Sequence, residues 1–262
     1  MAKITGEQLT IGYGGAHVVD KLDIALPEGR VTAIIGPNGC GKSTILKALA
    51  RLIPVQGGAV LLDGKAIASL PGTEVARKMA ILPQSPIAPP GLTVEELVAY
   101  GRYPHQRGFG RLDDLDREKI GWALEITGLS ALSERDVDTL SGGQRQRVWI
   151  AMALSQDTEL ILLDEPTTYL DLVHQLEVLT LLKRLNVETG RTIVLVIHEL
   201  NMAARFADHM IAIRDGAIVA QGTPDAIMTP EILGRVFEID AVIAKDPRNE
   251  RPVCVTFDVR GA

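Results

Sequence analysis

Apolar residues along this chain follow two different rhythms. Short β-rich runs come first, at Leu9–Tyr13, Leu22–Leu26 and Val31–Ile35, separated by glycines and by Pro27-Glu28-Gly29. The period then lengthens. Ile45, Leu46, Leu49 and Leu52 share one helical face, which predicts a helix over Lys42–Leu52. Val60–Leu62 followed by Asp63-Gly64 predicts a hairpin, and Met79–Leu82 a buried strand. Prolines Pro83, Pro86, Pro89 and Pro90 interrupt the pattern, and from Thr93 to about Ser155 it is helical. Val94, Leu97 and Val98 have helical spacing, as do Ile120, Ala123, Leu124 and Thr127. The charge run Asp113–Lys119 reads as a solvated face or a helix start. From Glu159 strands and helices alternate: strand Leu160–Leu163, helix Leu172–Val187, strand Thr192–Ile197, helix Leu200–Ala207, strand Met210–Ile213. That alternation predicts a mostly parallel sheet with right-handed crossovers. The tail predicts a short helical stretch and two apolar strands near Val242 and Val253. The fold class is therefore α/β with a helical insertion.

Composition narrows the class. Hydrophobic residues make up 46% and charged residues 23%, the balance of a soluble globular protein. A net charge of −6 leaves no broad basic field, and aromatics at 4% leave few stacking platforms, so no nucleic-acid partner is expected. No run approaches the roughly 18 apolar residues of a membrane span. The N-terminal residues lack the apolar core of a secretory signal. Cys40 and Cys254 are the two cysteines, too few for a disulfide framework or a C-x-x-C metal site, and they suggest a reducing compartment.

Candidate chemistry begins after the third strand. Gly36, Pro37, Asn38, Gly39, Cys40, Gly41, Lys42, Ser43 and Thr44 fit G-x-x-x-x-G-K-[ST] between an apolar strand and an amphipathic helix, the context a phosphate-binding loop requires. Glycines let backbone N–H groups close on a phosphate without Cβ clashes, and the helix N-terminus adds partial positive charge. Lys42 suits the β- and γ-phosphates, Ser43 suits Mg²⁺ and Thr44 the α-phosphate region. Cys40 contributes its backbone here, with a labile thiol at a helix start as the other possibility. The strand Leu160–Leu163 ends in Asp164 and Glu165. Acids at strand ends are common on their own. Beside a phosphate loop, Asp164 suits Mg²⁺ held through water and Glu165 suits polarisation of an attacking water.

Leu140-Ser141-Gly142-Gly143-Gln144-Arg145-Gln146-Arg147 precedes a helix, with Ser141 as its N-cap and small residues exposing backbone N–H groups, a second anion site. Taken together these segments resemble the ABC ATPases, the nucleotide-binding subunits of ABC transporters. Walker A is Gly36–Thr44, Walker B is Leu160–Asp164 with Glu165 after it, and the LSGGQ signature is Leu140–Gln144. The resemblance covers essentially the whole chain. It implies ATP and Mg²⁺ as the bound groups and a P-loop NTPase fold of the ABC ATPase type. That fold has a RecA-like parallel sheet core, an N-terminal antiparallel β-subdomain and an α-helical insertion subdomain. One cassette over 1–262 is expected, with core and β-subdomain at 1–85 and 158–222, the helical signature subdomain at 86–157 and a tail at 223–262.

Further positions match the family one by one. Gln84 matches the Q-loop glutamine that touches Mg²⁺ and couples to the membrane subunit. His198 matches the switch histidine on the γ-phosphate, Tyr13 the aromatic stacked on adenine, and Asp171 the D-loop aspartate. Glu165, His198 and Lys42 are thus the catalytic set, and Ser43, Gln84 and Asp164 the metal set. Ser141, Gly142, Gly143 and Gln144 complete the nucleotide site from the other subunit. His17, His105, His174 and His209 match no family site. Two departures stand out: Glu199 replaces the Asp that often follows the switch histidine, and Tyr169 makes the D-loop bulkier than usual.

The resemblance also implies partners. A second copy faces the first head to tail, so that Walker A of one and Ser141 of the other enclose one ATP. Integral membrane permease subunits ride on that dimer at the cytoplasmic face of the cell membrane. A periplasmic or lipid-anchored binding protein delivers cargo indirectly. Gly101-Arg102-Tyr103-Pro104-His105-Gln106, Thr167–Asp171 followed by His174-Gln175, and Asp246-Pro247 before Arg251-Pro252-Val253 resemble the iron-siderophore branch of the importers. A haem or cobalamin importer subunit, or a soluble ABC ATPase without a transporter, are the alternatives.

Overall fold

A computed structural model describes residues 2–14, 16–106, 111–168 and 170–260. In chain order the elements are β1 (Ala2–Tyr13), β2 (Ala16–Pro27), β3 (Val31–Ile35), α1 (Lys42–Leu49), β4 (Gly57–Leu62) and β5 (Lys65–Ala66). Next come α2 (Gly72–Lys78), β6 (Met79–Leu82), α3 (Val94–Ala99), α4 (Asp114–Ile126), α5 (Gly142–Ser155), β7 (Leu160–Asp164) and α6 (Leu172–Thr189). The last are β8 (Thr192–Val196), α7 (Leu200–Phe206), β9 (His209–Arg214), β10 (Ala217–Gly222), α8 (Pro224–Ile227), α9 (Pro230–Phe237), β11 (Ile239–Lys245) and β12 (Pro252–Val259). No helix among the described residues is long and apolar enough to cross a membrane. The chain divides into two compact units, Met1–Ser69 with Thr192–Ala262, and Leu70–Arg191.

The first unit holds an antiparallel sheet in the order β2-β1-β4-β5 and the run β10-β9-β3-β8, in which β9, β3 and β8 are parallel. Their sequences explain the difference. All five residues of β3 and of β8 are buried, as expected of parallel strands covered on both faces. Along β2, buried and exposed positions alternate, as in a sheet with one solvated face. The β4–β5 hairpin turns on Asp63 and Gly64, both at positive φ, the requirement of a two-residue primed turn. Helix α1 stops at Leu49 instead of Leu52, because Arg51 adopts φ 59° and Leu52 turns outward, 53% exposed. Strand β10 and helix α2 lie outside the elements expected from periodicity. Strand β10 carries no fully buried residue, and in α2 only Val75 is buried. Both are too weakly patterned to announce themselves. In the tail, β11 and β12 pair antiparallel around Val242 and Val253, where two strands were expected.

The second unit contains the parallel pair β6 and β7 and a packed group of α3, α4 and α5. Helices α3, α4 and α5 each start with a capping box, built by Thr93 with Glu96, Asp113 with Asp116, and Ser141 with Gln144. The charge run Asp113–Lys119 is thus the first turns of α4. The fingerprint Gly101–Gln106 has a packing explanation. A Cβ on Gly101 would lie 2.1 Å from the Met152 carbonyl oxygen, so only glycine lets this segment approach α5. Arg102 then donates to Asp116 Oδ1 at 2.8 Å and to the Ser155 carbonyl at 2.7 Å, with both charged side chains nearly buried.

Burial alone would raise the Asp116 carboxyl, but the Arg102 guanidinium and the Asp113 amide outweigh it and hold it below its ordinary value. Its stabilising contribution is therefore complete above about pH 4 and is lost as pH falls through the folded value. Asp116→Asn should cost about 3–5 kcal/mol, because it strands a buried Arg102 charge. Trp122 in α4 and Trp149 in α5 report on this unit, so urea unfolding followed by tryptophan fluorescence checks it. An unchanged midpoint would contradict the assignment.

Candidate functional site

In parallel sheets, ligand sites form beyond the C-terminal ends of the strands. The first unit places the loop Gly36–Thr44 there, after β3. Gly39 and Gly41 adopt φ 77° and 102°, and a Cβ on Gly36 would lie 2.1 Å from the Ile213 carbonyl oxygen, so the backbone path needs glycine. Lys42 is 4% exposed, and its ammonium donates to the carbonyls of Gly36 at 2.9 Å and Pro37 at 2.7 Å. Asn38 and Gly39 form the exposed rim, while Ser43 and Thr44 are half-buried in the first turn of α1. Gly41, the N-cap of α1, has no side chain to cap the helix, and its first turn holds no acid. That end is suited to an anion.

Strand register puts a second predicted residue at the same edge. Ile34 in β3 pairs with Val196 in β8, and the Ile197 amide donates to the Ile34 carbonyl at 3.2 Å. His198 follows directly and is exposed, as is Glu199, the N-cap of α7. Tyr13 ends β1 opposite Ala16, 53% exposed, and Val18 and Val19 further along β2 lie against Gly41. Cys40 is a correction to the labile-thiol possibility. It is buried, its carbonyl accepts from the Gly216 amide at 3.0 Å, and burial raises the thiol above its ordinary value despite nearby Lys42.

The second unit gathers the other predicted residues along its own strand ends. Leu82 of β6 pairs with Leu163 of β7, so Gln84 and the Asp164-Glu165 pair emerge at one edge. Asp164 is 1% exposed. Glu165 adopts φ 53°, left-handed backbone that costs a non-glycine residue on the order of 1–3 kcal/mol. The strain turns its carboxylate toward donors: Gln84 Nε2 at 2.6 Å and Thr168 Oγ1 at 3.0 Å both donate to Oε2. Ser141 Oγ accepts from the Gln144 amide at 3.3 Å, and Gln144 Oε1 accepts from the Ser141 amide at 3.1 Å. Asp171 caps α6, accepting from the His174 amide at 3.0 Å and pairing with His174 Nδ1 at 2.7 Å. The His174 amide and then its ring hold the Asp171 carboxyl below the ordinary range. Tyr169 lies outside the described residues.

Three side chains join the site without having been expected there. Thr168 braces Glu165, Gln146 Nε2 donates to the Pro166 carbonyl at 2.8 Å, and His174 binds Asp171. The i, i+3 spacing of Asp171 and His174 at a helix start was a readable signal for the last of these. Among the described residues no cluster of three His, Cys, Asp or Glu side chains could hold a metal ion.

A glycine-shaped loop between parallel strand and helix, with a buried lysine folded into it, defines a P-loop ATPase of the α/β class. A family model described as ABC transporter matches residues 19–168, and the chain belongs to that family. It is 60% identical over 259 residues, covering 99% of this chain and 96% of the other, to the iron(3+)-hydroxamate import ATP-binding protein FhuC of Bacillus subtilis. It is 50% identical over 255 residues, covering 97% and 94%, to the ferric enterobactin transport ATP-binding protein FepC of Escherichia coli. Among solved structures, a bacterial ABC transporter cassette in dimeric form superposes with a TM-score of 0.75 at 30% identity, over 84% of this chain and 98% of that one.

Proposed function

We infer that this chain hydrolyses ATP to power import of an iron–siderophore complex through partner permease subunits. The observation that carries this reading is 60% identity to an iron(3+)-hydroxamate import protein over nearly the whole chain, with every phosphate-handling motif intact. Tyr13 offers an exposed ring face for adenine. The amides of Gly36–Thr44 receive the phosphates, and Lys42 exchanges two loop carbonyls for phosphate oxygens, which are stronger acceptors for an ammonium. Ser43, Gln84 and Asp164 are hard oxygen donors of the kind Mg²⁺ takes, and few protein ligands are needed because the ion keeps water and phosphate oxygens. When bound, Mg²⁺ neutralises charge developing on the β- and γ-phosphate oxygens.

Glu165 polarises the attacking water. Gln84 and Thr168 hold its Oε2, which fixes the carboxylate that is to accept the water's proton. His198 contacts the γ-phosphate. Ser141, Gly142, Gly143 and Gln144 present helix α5 to the ATP of a second copy, head to tail, and Asp171 lies at that same junction. Permease subunits dock at the cytoplasmic face of the membrane, and a binding protein outside delivers the cargo to them.

Glu165→Gln should retain ATP affinity and lose turnover about 10²–10⁴-fold, while Lys42→Ala loses ATP binding itself. Fluorescent-nucleotide titration and phosphate release check both, and wild-type turnover in the first variant removes Glu165 from its role. For the transport reading, the chain should co-purify with its membrane subunits. ATPase activity of that complex in proteoliposomes should rise with an iron–siderophore-loaded binding protein. Stimulation by a haem- or cobalamin-loaded protein instead would favour those importers, and failure to co-purify with any permease would favour a soluble ATPase.

A further inference from the structure

His174 has no part in the ATP chemistry proposed above, yet it touches two residues that do. Its Nδ1 is 2.7 Å from Asp171 Oδ1. A carboxylate oxygen only accepts, so Nδ1 carries the proton. The ring also closes over the signature. A Cβ built on Gly143 would lie 3.0 Å from His174 Cδ2, 3.1 Å from Cγ and 3.4 Å from Nε2. The imidazole therefore stands between the D-loop carboxylate and the backbone of the signature glycine.

Two amides brace the same segment. Gln146, one turn into α5, donates to the Pro166 carbonyl at 2.8 Å, and Gln175 donates to the Leu170 carbonyl at 3.1 Å. Pro166 is thus bonded to the signature helix through Gln146, and Asp171 is bonded to the His174 ring that lies against Gly143 of the same helix. The His174 and Asp171 side chains are 37% and 66% exposed. A pair so exposed is screened by solvent and adds little to fold stability.

We propose that His174 is a positioning residue for closure of the ATP-bound dimer, holding Asp171 and the signature backbone at Gly143 in one fixed relation so that both meet the second copy together. This rests on the head-to-tail dimer given above. If the segments move independently, closure must order each of them. If His174 has already joined them, that ordering is done before the partner arrives.

The test uses the full chain in a Glu165→Gln background, where ATP is held without turnover, together with turnover measured in the unsubstituted chain. Compared are His174, His174→Ala and His174→Asn. Asparagine keeps a side-chain N–H near the position of Nδ1. Monomer ATP affinity and melting temperature should be the same in all three. The ATP concentration for half-maximal dimerisation, by analytical ultracentrifugation, should rise about tenfold in His174→Ala, in the range of ordinary coupling factors, with a matching loss of kcat. His174→Asn should recover at least half of that loss. Wild-type dimerisation and turnover in His174→Ala would overturn the proposal and leave His174 a helix-start contact. Equal losses in Ala and Asn with a lowered melting temperature would overturn it in favour of a structural role. If the His174 chain itself does not dimerise with ATP, the head-to-tail reading fails, and the proposal fails with it.

Discussion

Everything in the first unit's site depends on one buried charge. The Lys42 ammonium is almost fully enclosed, and burying such an ion costs several kcal/mol unless strong acceptors meet it. The carbonyls of Gly36 and Pro37 do so, and they can because the loop bends back over its own helix. That bend requires positive φ at Gly39 and Gly41 and the absence of a Cβ at Gly36, where Ile213 approaches. The glycines, the lysine and the end of β9 therefore form one mutual constraint. Its product is a loop whose backbone is already curved around a cation before any phosphate arrives.

In the second unit the constraint falls on a half-buried carboxylate. Glu165 is turned off its strand into left-handed backbone, and Gln84 and Thr168 hold one carboxylate oxygen in place. Strain at a functional residue persists only where neighbours over-determine it. Here Gln84 comes from the loop after the neighbouring strand β6, so whatever moves that loop also moves a ligand of Glu165. A displacement of that loop would in this way reach the Glu165 carboxylate by a single hydrogen bond.

Much of this was legible in the residues. The apolar run Leu160–Leu163 and the run Val31–Ile35, apolar except for Thr32, are buried throughout, as expected of strands in a covered parallel sheet. Ser141 with Gln144 announces a capping box by spacing alone. What escaped was weakly patterned or non-local. Strand β10 and helix α2 bury too little to show a period. The C-terminal end of α1 turned on the backbone of Arg51, which the apolar stripe does not reveal. Cys40 occupies a position that favours a reactive thiolate by helix-end electrostatics, but its burial wins, and burial depends on residues far along the chain such as Gly216. The contact between His174 and Gly143 joins residues more than a domain helix apart, and no local pattern encodes it.

The central claim is that one chain carries two half-sites which meet across two copies. Cysteine pairs test it directly. In a background of Cys40→Ala and Cys254→Ala, one copy would carry Asn38→Cys at the rim of the phosphate loop, and a second copy Ser141→Cys at the start of α5. The head-to-tail account predicts that mild oxidation gives a covalent dimer of the two different chains when ATP is present and Glu165→Gln prevents turnover, and far less without ATP. No ATP-dependent crosslink between the two chains, with both cysteines accessible to a maleimide, would contradict it.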